Sequence, residues 1–272
     1  MADSGEGPGP LDPLAEPSAG MGRDTREPID IVIPARNEEA TVVGNVVAAR
    51  GCRYVREVIV VDDGSEDATA DLAREAGAKV IHRVAPEGSK AHAMADGVVV
   101  SDAPSILFVD ADCTGLTSEH LDAMCVPYLE GRAALSIGTF DYGPFWNPIV
   151  LRFPPLSGER LIPRWVFESI PPGNLDGYTI EMRINEVIAE GRLPTASRTL
   201  VGMYHRTKRH KLGRLEGLRA TFDMYRELIS VLAPGRVRWR TYWFYLRDLT
   251  IEHTDFPDAT PAPWRPFRPR EG

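Results

Sequence analysis

The 272-residue sequence predicts an α/β protein with a doubly wound, mainly parallel sheet flanked by helices. Three observations lead there. Short apolar runs alternate with helical segments through the first half of the chain, the arrangement that builds parallel sheets by right-handed crossovers. The runs place apolar residues on consecutive positions, as strands covered on both faces do. Polar loops follow one run after another, at the carboxyl ends where such sheets bind their ligands.

The elements follow in order. "IDIVIPA" (29–35) reads as the first strand, and "PARNEE" (34–39) leads into a helix from Glu38 to Arg50. "EVIVVDD" (57–63) is the second strand; it turns through "DDGS" into a helix from Glu66 to Ala76, with Ser65 as a good N-cap and acids in the first turn. "KVIHRV" (79–84) is the third, followed by "PEGSK" and a helix from Lys90 to Val100. "ILFVD" (106–110) is the fourth and runs straight into Asp110 and Asp112; a helix from Ser118 to Leu129 and the strand "AALSIGTF" (133–140) complete the half. Each loop alone is what helix caps and tight turns need. Four of them on one edge of one sheet form a candidate site. Two carboxylates flanking one alanine repel each other, and a hard divalent cation with oxygen ligands is the natural counter-ion.

Composition narrows the classes. A net charge of -8 argues against nucleic-acid binding as the main role. Three cysteines, Cys52, Cys113 and Cys125, have neither metal-ligand spacing nor an even count, so a reducing, cytoplasmic setting without disulfides is expected. The start of the chain has neither a basic region nor an apolar core, so no signal peptide is expected. No apolar run reaches the roughly 20 residues that cross a bilayer. No Gly-x-Gly-x-x-Gly follows the first strand and no Walker lysine loop occurs, which excludes the common dinucleotide and phosphate-loop sites. After His205 the chain turns basic, and Leu215, Leu218, Phe222, Tyr225, Ile229 and Leu232 fall on one face of an amphipathic helix before the arginine- and aromatic-rich "RVRWRTYWFYLRD". A homodimer contact, or packing on the sheet, is the expected use of that face; peripheral contact with a membrane is the alternative.

"IVIPARNEEATVVGNV", "VIVVDDGSEDAT", "GSKAHAMADGV" and "FVDAD", in this order, resemble the opening half of family-2-type nucleotide-sugar glycosyltransferases with the A-type fold. Downstream, "PPLSGERLIPRWVFESIPPGNLDGYTIEMRINEVIAEG" and "HRTKRHKLG" resemble glucosyl-3-phosphoglycerate synthases and, more distantly, polyprenyl-phosphate mannose synthases. The resemblance implies that Asp110, Asp112 and His205 hold Mg2+ or Mn2+ on the donor's diphosphate. Pro34, Arg36 and Glu38 would line the nucleoside pocket, with Asp62 or Asp63 reaching the base and Lys90 and Asp110 the base or phosphate side. Glu181 would hold sugar hydroxyls, with Glu159, Asp176 and Glu181 as candidate bases beside the Ser157–Arg160 loop.

The donor implied is a nucleotide-diphosphate hexose, UDP-glucose favoured, and the acceptor a small or phosphorylated molecule. A polyprenyl-phosphate acceptor and an idle nucleotide-sugar binder are the alternatives. The segment between "GTF" and "SGER" is shorter than in the synthases and lacks their glycine-arginine loop, so acceptor and stereochemistry stay open. The domain reading is a tail over 1–27, a catalytic domain over 28–212, a helical aromatic extension over 213–254 and a second tail over 255–272.

Overall fold

The computed structural model describes residues 28–84, 88–144, 147–152, 157–171, 180–205, 243, 246–247 and 249–252. Its sheet has eight strands: β1 (Ile29–Ala35), β2 (Val55–Asp62), β3 (Lys79–His82), β4 (Ser105–Phe108), β6 (Leu135–Thr139), β7 (Arg160–Pro163), β8 (Thr195–Thr199) and β10 (Leu249–Ile251). Their order across the sheet is β10-β8-β6-β7-β4-β1-β2-β3. Every pairing in it is parallel except those of β7, which runs antiparallel to both neighbours. A separate ribbon pairs β5 (Cys113–Thr114) with β9 (Tyr204–His205).

Helices α1 (Val42–Gly51), α2 (Thr69–Glu75) and α4 (Ser118–Leu129) cover one face, and α3 (Lys90–Val100), α6 (Arg164–Glu168) and α7 (Ile180–Glu190) the other; α5 (Asn147–Arg152) lies against β8 and β10. Successive residues of β1 divide between the two layers, Ile31 and Ile33 to the first and Val32 to the second. That explains why the strand is apolar throughout rather than alternating. Its one charge, Asp30, is fully buried and matched by Arg56 at 3.0 and 2.7 Å and the Ser101 hydroxyl at 2.6 Å. A methyl on Gly97 would stand 2.3 Å from Val32, so its lack of a side chain lets α3 lie close over β1.

The five sequence-predicted strands and four helices are all present, β1, α3 and α4 with the expected bounds and the others with shifted ends. α1 begins at Val42 rather than Glu38, because the Glu38 carbonyl already accepts from the Thr41 and Val42 amides in a preceding turn. α2 begins at Thr69, where the Asp67 carboxylate takes the amide at 3.0 Å. Strands β7, β8 and β10 were not legible. "RLIP" and "LTI" are too short to show a period, and β8 reads "TASRT" with every residue buried although only one is apolar. The amphipathic stretch from Leu215 to Leu232 and both tails lie outside the described residues.

The start of α4 bears on the site. His120 completes a capping box: its Nδ1 accepts from the Thr117 amide at 3.2 Å while its own amide reaches the Thr117 hydroxyl at 3.4 Å. Nδ1 being an acceptor, Nε2 carries the hydrogen and donates to the Val201 carbonyl at 3.0 Å, just ahead of β9. Burial lowers the His120 pKa below its ordinary value. A group lowered on folding contributes stability above its unfolded pKa, about 6.5, and loses it as pH falls through the folded one. The melting midpoint is therefore expected to drop between pH 7 and 5, and His120→Gln to flatten the drop by roughly 2–4 °C. Parallel pH profiles of the two proteins check this; identical slopes would refute it.

Candidate functional site

The site stands on the carboxyl edge of β1, β2 and β4, where two loops are stapled together before any ligand arrives. After β1, Asn37 adopts a left-handed conformation (φ 57°) that asparagine tolerates. Its amide donates to the Ser65 hydroxyl at 3.0 Å and its side-chain carbonyl accepts from the Glu66 amide at 2.8 Å. The Glu38 amide reaches the Thr69 hydroxyl at 2.8 Å, and the Glu38 carboxylate accepts from the Thr41 hydroxyl at 3.2 Å. Pro34 is half-buried on β1; Arg36 is exposed and lays its guanidinium over Gly88, where an added methyl would collide with it.

The two aspartates after β2 already have partners. Asp62 accepts from the Ser65 amide at 3.1 Å and contacts His82 Nδ1 at 3.1 Å. Asp63 pairs with Arg83 at 2.6 Å and takes the Ser89 amide. Their carboxylates thus tie the end of β2 to His82, Arg83 and Ser89, and the Asp63 bond fixes Ser89, the N-cap of α3, immediately before Lys90.

Lys90 is the centre of the arrangement. Its Nζ lies 2.6 Å from Asp110 Oδ1 and 2.9 Å from Glu181 Oε1, joining α3, the end of β4 and the first turn of α7. Burial opposes charge on both Lys90 and Glu181. The pairing outweighs it: Asp110 and Glu181 hold the ammonium above its usual range, and Lys90 and Arg160 hold the Glu181 carboxyl below its own. Lys90 and Glu181 therefore stay ionised through neutral pH.

Asp110 is enclosed from the other side by the loop ahead of β7. A methyl on Gly158 would lie 2.1 Å from Asp110 Oδ2, so the loop backbone rests directly on the carboxylate. Below it Glu159 is fully buried; it accepts from the Cys113 thiol at 3.1 Å and lies 2.8 Å from the Ser157 hydroxyl. Burial and the nearby Glu159 and Asp110 charges push the Cys113 thiol far up, so it remains a donor. Arg160, also fully buried, donates from Nε to the Ser157 carbonyl at 2.9 Å and from Nη1 to the Glu181 carbonyl at 3.1 Å and Asn185 Oδ1 at 3.2 Å.

The structure thus brings Lys90, Asp110 and Glu181 into direct contact, with Asp112 two residues further on. Asp176 and the side chain of His205 lie outside the described residues, but the backbone register sets His205 opposite Cys113, the neighbour of Asp112. Among the described residues no three His, Cys, Asp or Glu side chains are grouped as a metal site. Glu159, a candidate base in the sequence, is instead a buried support of the loop. Sequence reading missed Asn45, whose buried amide donates to the Ala111 carbonyl at 2.8 Å and so fixes the Asp110–Asp112 turn from α1. It also missed the support given by Arg160. A polar residue at a core position of α1 was the one signal available for Asn45.

A family model described as Glycosyl transferase family 2 matches residues 30–147, which carry every loop of this edge up to the end of β6. A 4,4'-diaponeurosporenoate glycosyltransferase from Staphylococcus aureus is 37% identical over 112 residues, 39% of this chain and 30% of that protein. The chain therefore matches under a third of that relative's length. Among solved structures, glucosyl-3-phosphoglycerate synthase from Mycobacterium tuberculosis, in complex with Mn2+, UDP-glucose and phosphoglyceric acid, superposes with a TM-score of 0.56 at 26% identity, covering 76% of this chain and 78% of that one. The same synthase with phosphoglyceric acid alone gives a TM-score of 0.55 at 25% identity over 67% of this chain and 73% of that one. The sheet and these superpositions give the chain the A-type glycosyltransferase fold, and residues 30–147 of it match the family-2 model.

Proposed function

We propose that this protein transfers a hexose from a nucleotide-diphosphate sugar, UDP-glucose in the first instance, to a small or phosphorylated acceptor, with Mg2+ or Mn2+ bound. The observation that carries the reading is the Lys90–Asp110–Glu181 contact cluster beside Asp112 on the carboxyl edge of the sheet. The residues present fit the ion: two carboxylates are hard oxygen donors suited to Mg2+ or Mn2+, and the β5–β9 register brings the backbone of His205 alongside them. Asp110, Asp112 and His205 would hold it. When bound, it supplies counter-charge to the diphosphate leaving group.

The remaining roles belong to the chain itself. Pro34 and Arg36 face the nucleoside, between walls built by Glu38, Asp62 and Asp63. Glu181, held ionised, accepts hydrogen bonds from sugar hydroxyls and so orients the ring. Lys90 adds positive charge where the diphosphate and sugar meet. A carboxylate held below its usual pKa is a weak base, and Glu159 is enclosed, so neither is suited to deprotonate a neutral hydroxyl. An acceptor that arrives already ionised, through a phosphate or carboxylate oxygen, agrees with both placements. No helix among the described residues is long and apolar enough to cross a membrane.

Thermal unfolding with UDP-, GDP-, ADP- and dTDP-linked sugars, each with Mn2+ or EDTA, tests the donor reading. Saturation to about 100 times Kd adds about 2.7 kcal/mol, or roughly 5–10 °C in a chain of this size. The expected result is a shift with UDP-glucose in Mn2+ that EDTA removes. No shift with any nucleotide sugar would overturn the proposal.

A further inference from the structure

We infer that Arg160 is a positioning residue for sugar recognition, joining the loop that rests on Asp110 to the carboxylate that meets the sugar; the inference rests on the donor reading above. Arg160 is fully buried and does not reach the cleft. Its guanidinium spends Nε and Nη2 on one acceptor, the Ser157 carbonyl, and Nη1 on two, the Glu181 carbonyl and Asn185 Oδ1. One planar group thereby sets the spacing between two pieces of chain that are otherwise separate, the 157–160 loop and the first turn of α7.

The two pieces carry different parts of the site. Ser157 and Gly158 close over Asp110, and Glu181 takes its place from the α7 backbone that Arg160 holds. Glu181 is at once the partner of Lys90, itself bound to Asp110. Asp110, Lys90, Glu181, Arg160 and the Ser157–Gly158 backbone therefore form a closed loop of contacts, in which a shift of Arg160 moves Glu181 relative to Asp110. Only a guanidinium spans the gap, because its donors diverge from a rigid plane while a lysine offers one point charge. The positive charge also helps hold Glu181 ionised. The sugar part of the donor should feel the loss of Arg160 more than the nucleotide part, whose proposed contacts come from the loops after β1 and β2.

Calorimetric affinities of UDP and of UDP-glucose, both in Mn2+, separate these parts. In the wild-type protein UDP-glucose is expected to show an increment over what the UDP moiety alone contributes, and UDP-galactose a smaller one. Arg160→Lys is expected to leave UDP affinity within about twofold, to cut the glucose increment about tenfold and to erase the preference for glucose over galactose. Asn185→Ala, which removes one of the Arg160 acceptors, is expected to act in the same direction more weakly, and serves should Arg160→Lys fail to fold. An unchanged increment and preference in folded variants would overturn the inference, as would an equal loss of UDP and UDP-glucose affinity, the mark of a merely structural role. A wild-type protein that binds neither ligand would instead refute the donor reading.

Discussion

Asp110→Asn is expected to reduce metal-dependent hydrolysis and transfer of the donor about 10³-fold, the scale of losing a preorganised electrostatic group. Two effects add. The substitution removes a carboxylate from the proposed ion site, and it leaves Lys90, now 2.6 Å from a neutral amide oxygen or nitrogen, with Glu181 alone as its charge partner. The ammonium then draws closer to Glu181 and competes with the sugar hydroxyls for it. The melting midpoint without ligand is expected to move little, because Asp110 lies at the cleft rather than in the core. Steady-state turnover with Mn2+ titration, alongside calorimetry of unfolding, checks both halves. Activity within tenfold of wild type at saturating Mn2+ would show that Asp110 is not a ligand.

Gly158→Ala is the second large effect, and it arises from space. Gly158 is not among the positive-φ glycines, so the backbone alone would accept alanine. The added methyl, however, would stand within 2.4 Å of three atoms of the Asp110 carboxylate. Either the loop lifts or the carboxylate swings; lifting the loop strains the Ser157 carbonyl bonds to Arg160, and swinging the carboxylate breaks its Lys90 contact. Overpacking of this kind costs about 1–3 kcal/mol in stability. Displacing a reacting group by about 1 Å costs on the order of 10² in rate. The expected outcome is a folded protein, a few degrees less stable, with turnover down about 100-fold; activity near wild type would show that the loop yields freely.

How far the sequence disclosed all this depends on what kind of force fixes each part. β1, β2, β4 and β6 were legible because burial on both faces leaves continuous apolar runs such as Ile31 to Ile33, and the more exposed edge strand β3 from its central Val80 and Ile81. The cleft residues that end those runs were legible for the same reason, since an apolar run marks its own carboxyl end and with it the edge where the polar loops gather. β8 was not, because Thr195, Ser197 and Thr199 are buried where neighbouring strand and helices enclose them, a fact of tertiary packing that no local period records. Lys90, Asp110 and Glu181 could each be suspected alone. Their mutual contact could not, because it joins Lys90 to positions 20 and 91 residues further along, the second beyond the reversed strand β7. In "SGER" Glu159 reads as a candidate base and Arg160 as the end of a loop beside the reaction centre; both are enclosed, each matched by partners supplied from Ser157 and from other elements.

The reversal of β7 has a consequence for how such a protein can change. β6 ends on the cleft edge and β7, running the other way, starts there, so the connection between them leaves and re-enters the sheet beside the reacting centre. Length can be added to or taken from that connection while Thr139 and Arg160 keep their places in the sheet. The loops after β1 and β2, where the proposed nucleotide contacts stand, belong to other pieces of chain. Under the proposed function, acceptor choice and nucleotide choice would then sit in separable pieces of chain, so that one could drift, or be grafted, without the other being relearned.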